Sequence, residues 1–321
     1  MLGVIVTGLI AGAASALLFA TVVSGSPLTI VLFYAAPLPL MIAGLGWSHR
    51  AALIGAVAGA VGISAAITPE AGLVHAAGVG LPAFILSYLA LLGRREDDVV
   101  VEWFPAGSLV AVAALLGGAV GIAGAVTLGP SYEEFSQAMQ SGVTMMLKAQ
   151  MGIPDSQPLV LPDVTDPAAF VSVLAALIPP IITMFFVFTA LLNLWLAGRV
   201  AERSGRLPRP WPPFSTLTLP FWAGPAFVIS GLASAFPGMT GLVSELFAAG
   251  FLMAFSILGF AVLHAMTMGV SARPIILAGV YIAAFAMGWP LFVVAGLGLF
   301  EQLFRLRARL AARRGPTTPE P

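Results

Sequence analysis

Long apolar segments, separated by short polar or proline-containing stretches, follow one another along almost the whole sequence. An α-helix needs roughly 20 apolar residues to cross the hydrocarbon core of a bilayer, and its backbone hydrogen bonds are then satisfied internally. The sequence therefore predicts an all-α fold, a polytopic transmembrane helical bundle of about ten spans, with eight to ten as the range. The candidate spans are 2–24, 28–46, 51–68, 72–93, 105–128, 168–198, 219–236, 242–269, 274–288 and 290–304.

The last two candidate spans are short. They form either one helix kinked at Gly288-Trp289-Pro290 or the two arms of a tight hairpin. A single helix would put the basic C-terminal segment on the opposite side of the membrane from the other arginines, so we favour the hairpin.

The composition supports a membrane protein and excludes other classes. Hydrophobic residues make up 59% of the 321-residue chain and charged residues only 9%, whereas a soluble domain carries roughly 25% charged residues. A water-soluble enzyme is therefore excluded, and the bilayer is the expected surrounding. The 14 basic and 14 acidic residues balance, so the net charge indicates no nucleic-acid partner.

The basic residues predict the orientation, because arginine and lysine remain on the cytoplasmic side during insertion. The single lysine, Lys148, lies in the acidic connection 129–167. We expect the arginine-bearing loops and both termini in the cytoplasm, 129–167 outside, and the chain in the bacterial inner membrane as a multi-pass protein. The arginines are Arg50, Arg94, Arg95, Arg199, Arg203, Arg206, Arg209, Arg273, Arg305, Arg307, Arg309, Arg313 and Arg314, and the acids of the connection are Glu133, Glu134, Asp155, Asp163 and Asp166.

The connection divides the chain into 1–128, with the N-terminal transmembrane helices, the outer loop 129–167, and 168–321, with the C-terminal transmembrane helices. Ser131 and Glu134 have the spacing of a capping box, and apolar residues then recur on one face. An amphipathic helix is therefore predicted over residues 131–150.

Two extramembrane segments of the C-terminal part are distinctive. Residues 204–220, which we call the strap, contain five prolines and are predicted to be stiff and non-helical. Residues 305–321 form a basic tail. The strap is either a spacer or a docking element that presents Pro212, Pro213 and Phe214.

The motifs of several enzyme classes are missing. The chain has no GxxxxGK[ST] loop, no HExxH motif, no cysteine and no histidine or carboxylate cluster at metal-ligand spacing. Ser64 and His264 could suggest an intramembrane protease, but nothing in their spacing brings them into hydrogen-bond contact. We expect no enzyme activity, no cofactor and no metal site.

Polar side chains within apolar spans are costly and mark candidate functional positions. Glu70, His75 and Glu245 are expected at similar depth near the outer side, and Asn193 and His264 near the inner side. They form two polar layers of a substrate or proton path. Alternatively, the acids meet interfacial water while His264 bonds a neighbouring helix.

Small residues and prolines suggest further features of the spans. Gly8, Gly12 and Ala16 form a ladder that lets another helix approach closely, either within the bundle or on a partner membrane subunit. The prolines are expected to break span two, at Pro37 and Pro39, and span six, at Pro179-Pro180.

The strap carries a family resemblance. Pro212-Pro213-Phe214, followed by Leu217, Leu219 and Pro220, resembles the PPF…L.LP element of the YybS-like family of bacterial membrane proteins. The segments 37–40 and 296–309 resemble that family too, and the similar layout covers nearly the whole chain. The helical core of the family is similar to the S components of energy-coupling-factor vitamin transporters, which bind a small molecule on the outer side. By this resemblance, the Gly8–Gly12–Ala16 ladder would dock on a shared membrane subunit.

Two functions follow as expectations. The first is binding or transport of a small molecule, as an S-component-like carrier without its own energy source, with entry near Glu70, His75 and Glu245. The alternative is a non-transporting scaffold or regulator, whose strap and basic tail engage a cytoplasmic partner or lipid headgroups.

Overall fold

A computed structural model of the chain describes residues 1–24, 27–96, 99–162 and 164–314. It is 80% helical, so the all-α prediction is confirmed. Asp163 of the outer loop and residues 315–321 of the basic tail lie outside the described residues.

The described residues of the first half of the chain form seven helices. A 3₁₀ turn (Thr21–Ser24) follows the first of them, and a π-helical turn (Ala76–Gly80) joins the fifth to the sixth. The helices are α1 (Leu2–Ala20), α2 (Pro27–Tyr34), α3 (Pro37–Gly46), α4 (His49–Ala66), α5 (Pro69–His75), α6 (Leu81–Ala90) and α7 (Ala106–Leu128).

Up to residue 314, where the described part of the chain ends, the second half adds seven more helices, and a 3₁₀ turn (Phe214–Thr216) lies in the strap. These helices are α8 (Tyr132–Met151), α9 (Pro167–Arg203), α10 (Ala223–Ala233), α11 (Gly238–Met266), α12 (Arg273–Met287), α13 (Pro290–Phe304) and α14 (Leu306–Arg314).

Within the described residues, seven segments are long and apolar enough to cross a membrane, compared with the ten candidates of the sequence. The remaining three candidates correspond to the shorter helices α10, α12 and α13. With 11 residues, α10 is the clearest difference from the predicted span 219–236. At 1.5 Å rise per residue it extends about 17 Å, little more than half of a hydrocarbon core of about 30 Å. The seven long segments are Leu2–Val23, Leu28–Gly46, His49–Ala66, Pro69–Ala90, Ala106–Leu128, Pro167–Arg203 and Gly238–Met266.

A small antiparallel hairpin was not predicted from the sequence. Strands β1 (Gly93–Glu96) and β2 (Val99–Trp103) pair between α6 and α7, with Gly93 opposite Trp103. The predicted span 72–93 therefore ends at Ala90, where the helix gives way to the sheet.

Two helices occupy the region in which the sequence allowed either one kinked helix or a hairpin. The chain turns at Gly288, whose φ of 71° is in the left-handed region, and α13 begins at Pro290. Ala284 of α12 and Val294 of α13 pack together against Phe260 of α11. This arrangement is what the hairpin interpretation requires.

The prolines of span two and span six have different effects. The helix is interrupted at Ala35 and Ala36, immediately before Pro37, which confirms the predicted break in span two. Pro179 and Pro180, in contrast, lie inside the continuous helix α9, so the break predicted there is wrong. Thr183 donates its hydroxyl to the Pro179 carbonyl at 3.0 Å, four residues earlier in the same helix.

The Gly8–Gly12–Ala16 ladder packs inside the chain. Helices α1 and α4 run parallel in close contact, and a Cβ added at Gly12 would lie 2.5 Å from the Gly55 carbonyl oxygen. Gly8 and Gly12 are buried there, and Ala16 packs against the same core. The docking interpretation of this ladder is therefore corrected: its close approach is to α4, and the face is not free for a partner subunit.

Helix α11 is the centre of the C-terminal half. Its Phe251, Phe255 and Leu258 pack with Val110 of α7 and Ala295 of α13 in one buried cluster. The glycines of α11 and α13 allow this packing, because a Cβ at Gly298 would meet the Phe255 carbonyl group.

The two ends of the bundle differ in chemistry. At the end that we call the basic end, the strap contacts the α3–α4 turn, the end of α6 and the tail. At the opposite, acidic end, α8 begins with a capping box between Ser131 and Glu134. Its Phe135 packs on Ala125 of α7 and Leu246 of α11, so α8 covers the ends of both helices.

Replacing Gly12 with alanine should destabilise the bundle, because the new methyl group meets the Gly55 carbonyl oxygen. Overpacking of this kind costs about 1–3 kcal/mol, and Tm in detergent micelles should fall. Gly3→Ala in the same helix is the matched control, since nothing lies within 4 Å of the added Cβ. Equal Tm values for the two variants would contradict the close packing of α1 on α4.

Candidate functional site

The strap is held across both halves of the bundle at the basic end. Arg206 stacks over Trp47 of the α3–α4 turn, with its Cζ 4.2 Å from the ring centroid. Thr218 lies against Gly107 near the start of α7, where a side chain would collide with the Thr218 carbonyl oxygen. The strap is therefore a packed part of the bundle.

Arg209 is the most deeply buried charge of the strap, with an exposed fraction of 5%. Its Nη1 donates to the carbonyl of Ala90 at 2.8 Å, in the last turn of α6, where helix carbonyls lack partners and a positive charge is favourable. The guanidinium also lies 5.0 Å from the Trp211 ring centroid. Burial lowers the pKa of Arg209, but a guanidinium keeps its charge in proteins.

Two donors beside this contact have no hydrogen-bond partner among the described residues. They are Nε of Arg209 and Nε1 of Trp211, and both atoms are buried. Trp211 is seated over Gly198 of α9, where any Cβ would overlap the indole ring. The strap thus carries two unsatisfied N–H groups, and that of Trp211 faces Gly198.

The basic tail fixes the other end of the strap. Arg307 pairs with the buried carboxylate of Glu301, with 2.9 Å between Nε and Oε1. Its Nη2 donates to the Leu217 carbonyl at 2.8 Å, and its Nη1 donates to the Ser215 carbonyl. Gln302 donates to the carbonyl of Pro220 at 2.8 Å. One arginine therefore joins the end of α13 to the strap.

A cavity of about 820 Å³ lies between the strap, the start of α7, and helices α9, α11 and α12. Leu109, Leu194 and Arg209 are its most deeply buried lining residues. Trp195 and Tyr281 line it as well but are about half-exposed, so the cavity opens on the outer surface of the bundle. We call it the basic-end cavity.

Of the predicted polar residues, His264 lies nearest to this cavity. Its Nε2 is 3.1 Å from the hydroxyl of Tyr281, a lining residue, and its ring meets the Phe214 ring edge-on at 5.4 Å. Phe214 also lines the cavity, as do Pro212 and Pro213. The structure thus brings His264 together with the predicted docking residues of the strap.

Asn193 has a structural role. Its side-chain amide donates to the carbonyls of Tyr34 at 2.8 Å and Thr189 at 2.7 Å. The Tyr34 carbonyl lies at the break between α2 and α3, where the Leu38 N–H, its partner in a continuous α-helix, donates to the Ala35 carbonyl instead. Asn193 therefore satisfies a carbonyl that the interrupted helix leaves open.

His75 is completely buried in the N-terminal half. Its Nε2 is 3.0 Å from the Ser15 hydroxyl, Phe19 packs edge-on against its ring, and Gly59 leaves space for it. Its Nδ1 has no hydrogen-bond partner among the described residues. His75 thus joins α1, α4 and α5, and it lines neither of the two cavities described in this subsection.

The two predicted glutamates do not join His75. Glu70 is exposed in the first turn of α5, and Glu245 is half-buried in α11. Neither residue lines a described cavity. The three residues that were expected to form an outer entry site are therefore not brought together in one pocket.

A second groove, of about 800 Å³, lies at the acidic end between α8 and the start of α9. Gln137, Gln140, Thr144 and Asp166 contribute polar side chains to it. Asp166 caps α9 by accepting from the Ala168 and Ala169 amides, so its carboxylate is already engaged. Within the part of the chain that the structure describes, no three His, Asp or Glu side chains converge as a metal site would require.

Residues 13–302 match the model of a family described as "Predicted membrane protein (DUF2232)". The chain belongs to this family. The YybS-like resemblance is consistent with this membership, and the prediction of a membrane protein is confirmed. No curated protein and no solved structure matches the chain. The matched residues of this DUF2232 protein include the strap, all helices from α2 to α12 and α13 as far as Gln302.

Sequence reasoning missed Arg209, Trp211 and Trp195 as site residues. The signal for Arg209 and Trp211 was present, because an arginine and a tryptophan between prolines are unusual in a plain spacer. Arg209 was used only as an indicator of orientation, and its burial arises from tertiary packing of the strap on this DUF2232 bundle.

Replacing Arg307 with glutamine should loosen the strap of the DUF2232 protein, because it removes the ion pair with Glu301 and the contacts to the strap carbonyls. Hydrogen bonds to charged groups contribute about 1.5–3 kcal/mol. Amide hydrogen exchange in residues 214–219 should therefore accelerate about tenfold or more. Arg309→Gln removes the same charge from an exposed position of α14 and should leave the exchange unchanged. Equal exchange in both variants would mean that Arg307 does not hold the strap.

Proposed function

We propose that this chain is a non-enzymatic protein of the bacterial inner membrane that binds a small amphipathic molecule in the basic-end cavity. It would act as an S-component-like carrier without its own energy source. The observation that carries this proposal is the cavity of about 820 Å³ with a buried arginine among its lining residues. Small-molecule sites typically have volumes of about 300–1,000 Å³.

The lining supports an amphipathic ligand. Its walls are mostly leucine, tryptophan, proline and phenylalanine side chains, and the ionisable groups among the described lining residues are Arg209 and Tyr281. An apolar pocket with few polar groups is typical of binding sites in which the polar groups orient the ligand. These two groups do not form a nucleophile–base pair, which favours binding over catalysis.

The orientation is part of the proposal. The strap, the tail and the arginine-bearing loops meet at the basic end, and the positive-inside rule favours the cytoplasm for this end and for both termini. We favour the ten-span layout, in which α10, α12 and α13 also enter the bilayer. In this layout the arginine-bearing loops are all cytoplasmic and the acidic loop 129–167 is outside. The ligand would then be held on the cytoplasmic side, opposite the entry expected near Glu70 and Glu245.

The scaffold function is the second candidate, and the exposed tip of the strap favours it. Pro212 and Pro213 are exposed, and Phe214 has an exposed fraction of 44%. A cytoplasmic partner or a further membrane subunit could dock on this tip without any ligand in the cavity.

The orientation can be tested by single-cysteine labelling, because the natural chain contains no cysteine. Gln137→Cys in α8 and Arg309→Cys in α14 are both at exposed positions. In intact spheroplasts, a membrane-impermeant maleimide should label the first variant, whereas the second should react only after permeabilisation. The opposite pattern would reverse the proposed orientation.

Ligand binding can be tested by native mass spectrometry of the protein released from native-lipid nanodiscs. Trp195→Ala removes a half-exposed wall of the cavity, and losing the contact of one large apolar side chain should weaken retention about tenfold. Trp289→Ala is the matched control, because Trp289 has a similar exposed fraction, 57% compared with 53%, but does not line the cavity. A wild-type protein that retains a protein subunit and no small molecule would favour the scaffold and contradict the carrier.

A further inference from the structure

We infer that the ligand of the basic-end cavity is an anionic phospholipid from the surrounding bilayer, whose phosphate binds Arg209 while its acyl chains lie against the apolar rim. This inference rests on the proposed function and names the ligand class of the same site. Three features of the cavity carry it: a buried charge without a carboxylate partner, a guanidinium edge without a hydrogen-bond partner among the described residues, and an opening on the membrane-facing surface.

The buried charge of Arg209 has no carboxylate partner among the described residues. The ion pairs in this part of the chain are Arg199–Glu202 and Arg307–Glu301. A buried charge is stable only when it is paired or well hydrogen-bonded, and one contact with a backbone carbonyl satisfies only part of a guanidinium. An anion in the cavity would supply the missing partner.

The donor geometry favours a phosphate group. Nη1 of Arg209 is engaged by Ala90, which leaves the edge formed by Nε and Nη2 without a hydrogen-bond partner among the described residues. Such an edge donates two parallel hydrogen bonds to two oxygens of one phosphate or carboxylate. Nε1 of Trp211 lies against Gly198 of α9, so the guanidinium edge of Arg209 is the donor offered to the ligand.

The rim of the cavity favours the bilayer as the source of the ligand. Leu192, Trp195 and Tyr281 line the cavity, and each is at least 39% exposed. In a membrane such side chains face lipid, and tryptophan and tyrosine are enriched at the headgroup level. A phospholipid can therefore enter laterally, with its headgroup toward Arg209 and its chains along these side chains.

The strap explains why this headgroup site lies apart from the other arginines. Arg206 is exposed and stacks on Trp47, and Arg307 is neutralised by Glu301. Of these three arginines, Arg209 alone lines the cavity. Its aromatic partner, Trp211, is a lining residue as well, so among the described residues nothing outside the cavity engages the charge of Arg209 except the Ala90 carbonyl. The site is thus specific to one position of the strap.

The test uses the full-length protein in nanodiscs made from an equal mixture of phosphatidylcholine and phosphatidylglycerol. Lipids retained after gentle release are identified by native mass spectrometry. We expect the wild-type protein to retain phosphatidylglycerol in excess over phosphatidylcholine. Arg209→Gln should reduce this excess about tenfold, since the charge and its hydrogen bonds to the phosphate are lost. Arg206→Gln loses the same charge from the same strap and should keep the excess.

A second measurement needs no substitution. It distinguishes an anionic phospholipid from a fatty acid as the ligand. Wild-type protein is placed in phosphatidylcholine nanodiscs that contain either oleate or phosphatidylglycerol at the same mole fraction. The amount of each anionic lipid that the released protein retains is then compared. Tighter retention of oleate would overturn the phospholipid assignment. Retention of both lipid classes in the bulk proportion, or an excess of phosphatidylglycerol that Arg209→Gln leaves unchanged, would overturn the anionic site.

The failure of this inference can be told apart from failure of the proposed function. If a neutral lipid is retained and Trp195→Ala releases it while Trp289→Ala does not, the cavity binds a ligand but not through Arg209. If the wild-type protein retains no small molecule at all, both the inference and the proposed function are overturned.

Discussion

The need to satisfy every backbone polar group without water governs the whole structure. Where the chain is continuous helix, this need is met internally, and even the Pro179-Pro180 pair does not interrupt α9. Where the helix breaks before Pro37, the open carbonyl of Tyr34 is satisfied by Asn193, a residue 159 positions away. The non-helical strap stays at one end of the bundle, where arginine side chains bond its carbonyls.

Much of the fold follows from the sequence because its causes are local. The apolar windows identify the seven long segments, and Ser131 with Glu134 is enough to indicate where α8 begins. The shortness of α10 and the presence of the β-hairpin are harder to predict. Hydropathy is averaged over a window of about 20 residues, so a turn or a short strand at the edge of the window is not detected. The continuity of α9 through Pro179-Pro180 is also missed, because the local proline rule predicts a break and takes no account of the packing around the helix.

The site was less predictable because it depends on which polar residues become partners of one another. Asn193 and His75 had the expected mark of function, polarity within an apolar span, yet their contacts join helices. Arg209 had no such mark, because it lies outside the apolar spans. In an extended segment its charge would remain in water, with no free-energy cost of burial. It becomes exceptional only when the strap folds back and buries it beside Ala90.

Small residues draw helices together in both halves of the bundle, and a ligand can bind only where the helices remain apart. In the N-terminal half, Gly12 and Gly59 draw α1, α4 and His75 into contact, so no space is left between them. In the C-terminal half, Gly298 lets α11 and α13 approach in the same way, whereas Trp195 of α9 and Tyr281 of α12 line the gap that forms the basic-end cavity. The strap closes this gap from one end and contacts both halves, through Ala90 on one side and Arg307 on the other. A molecule bound beside Arg209 would therefore couple the packing of the two halves, which is the arrangement that a carrier needs if loading is to be sensed by a partner.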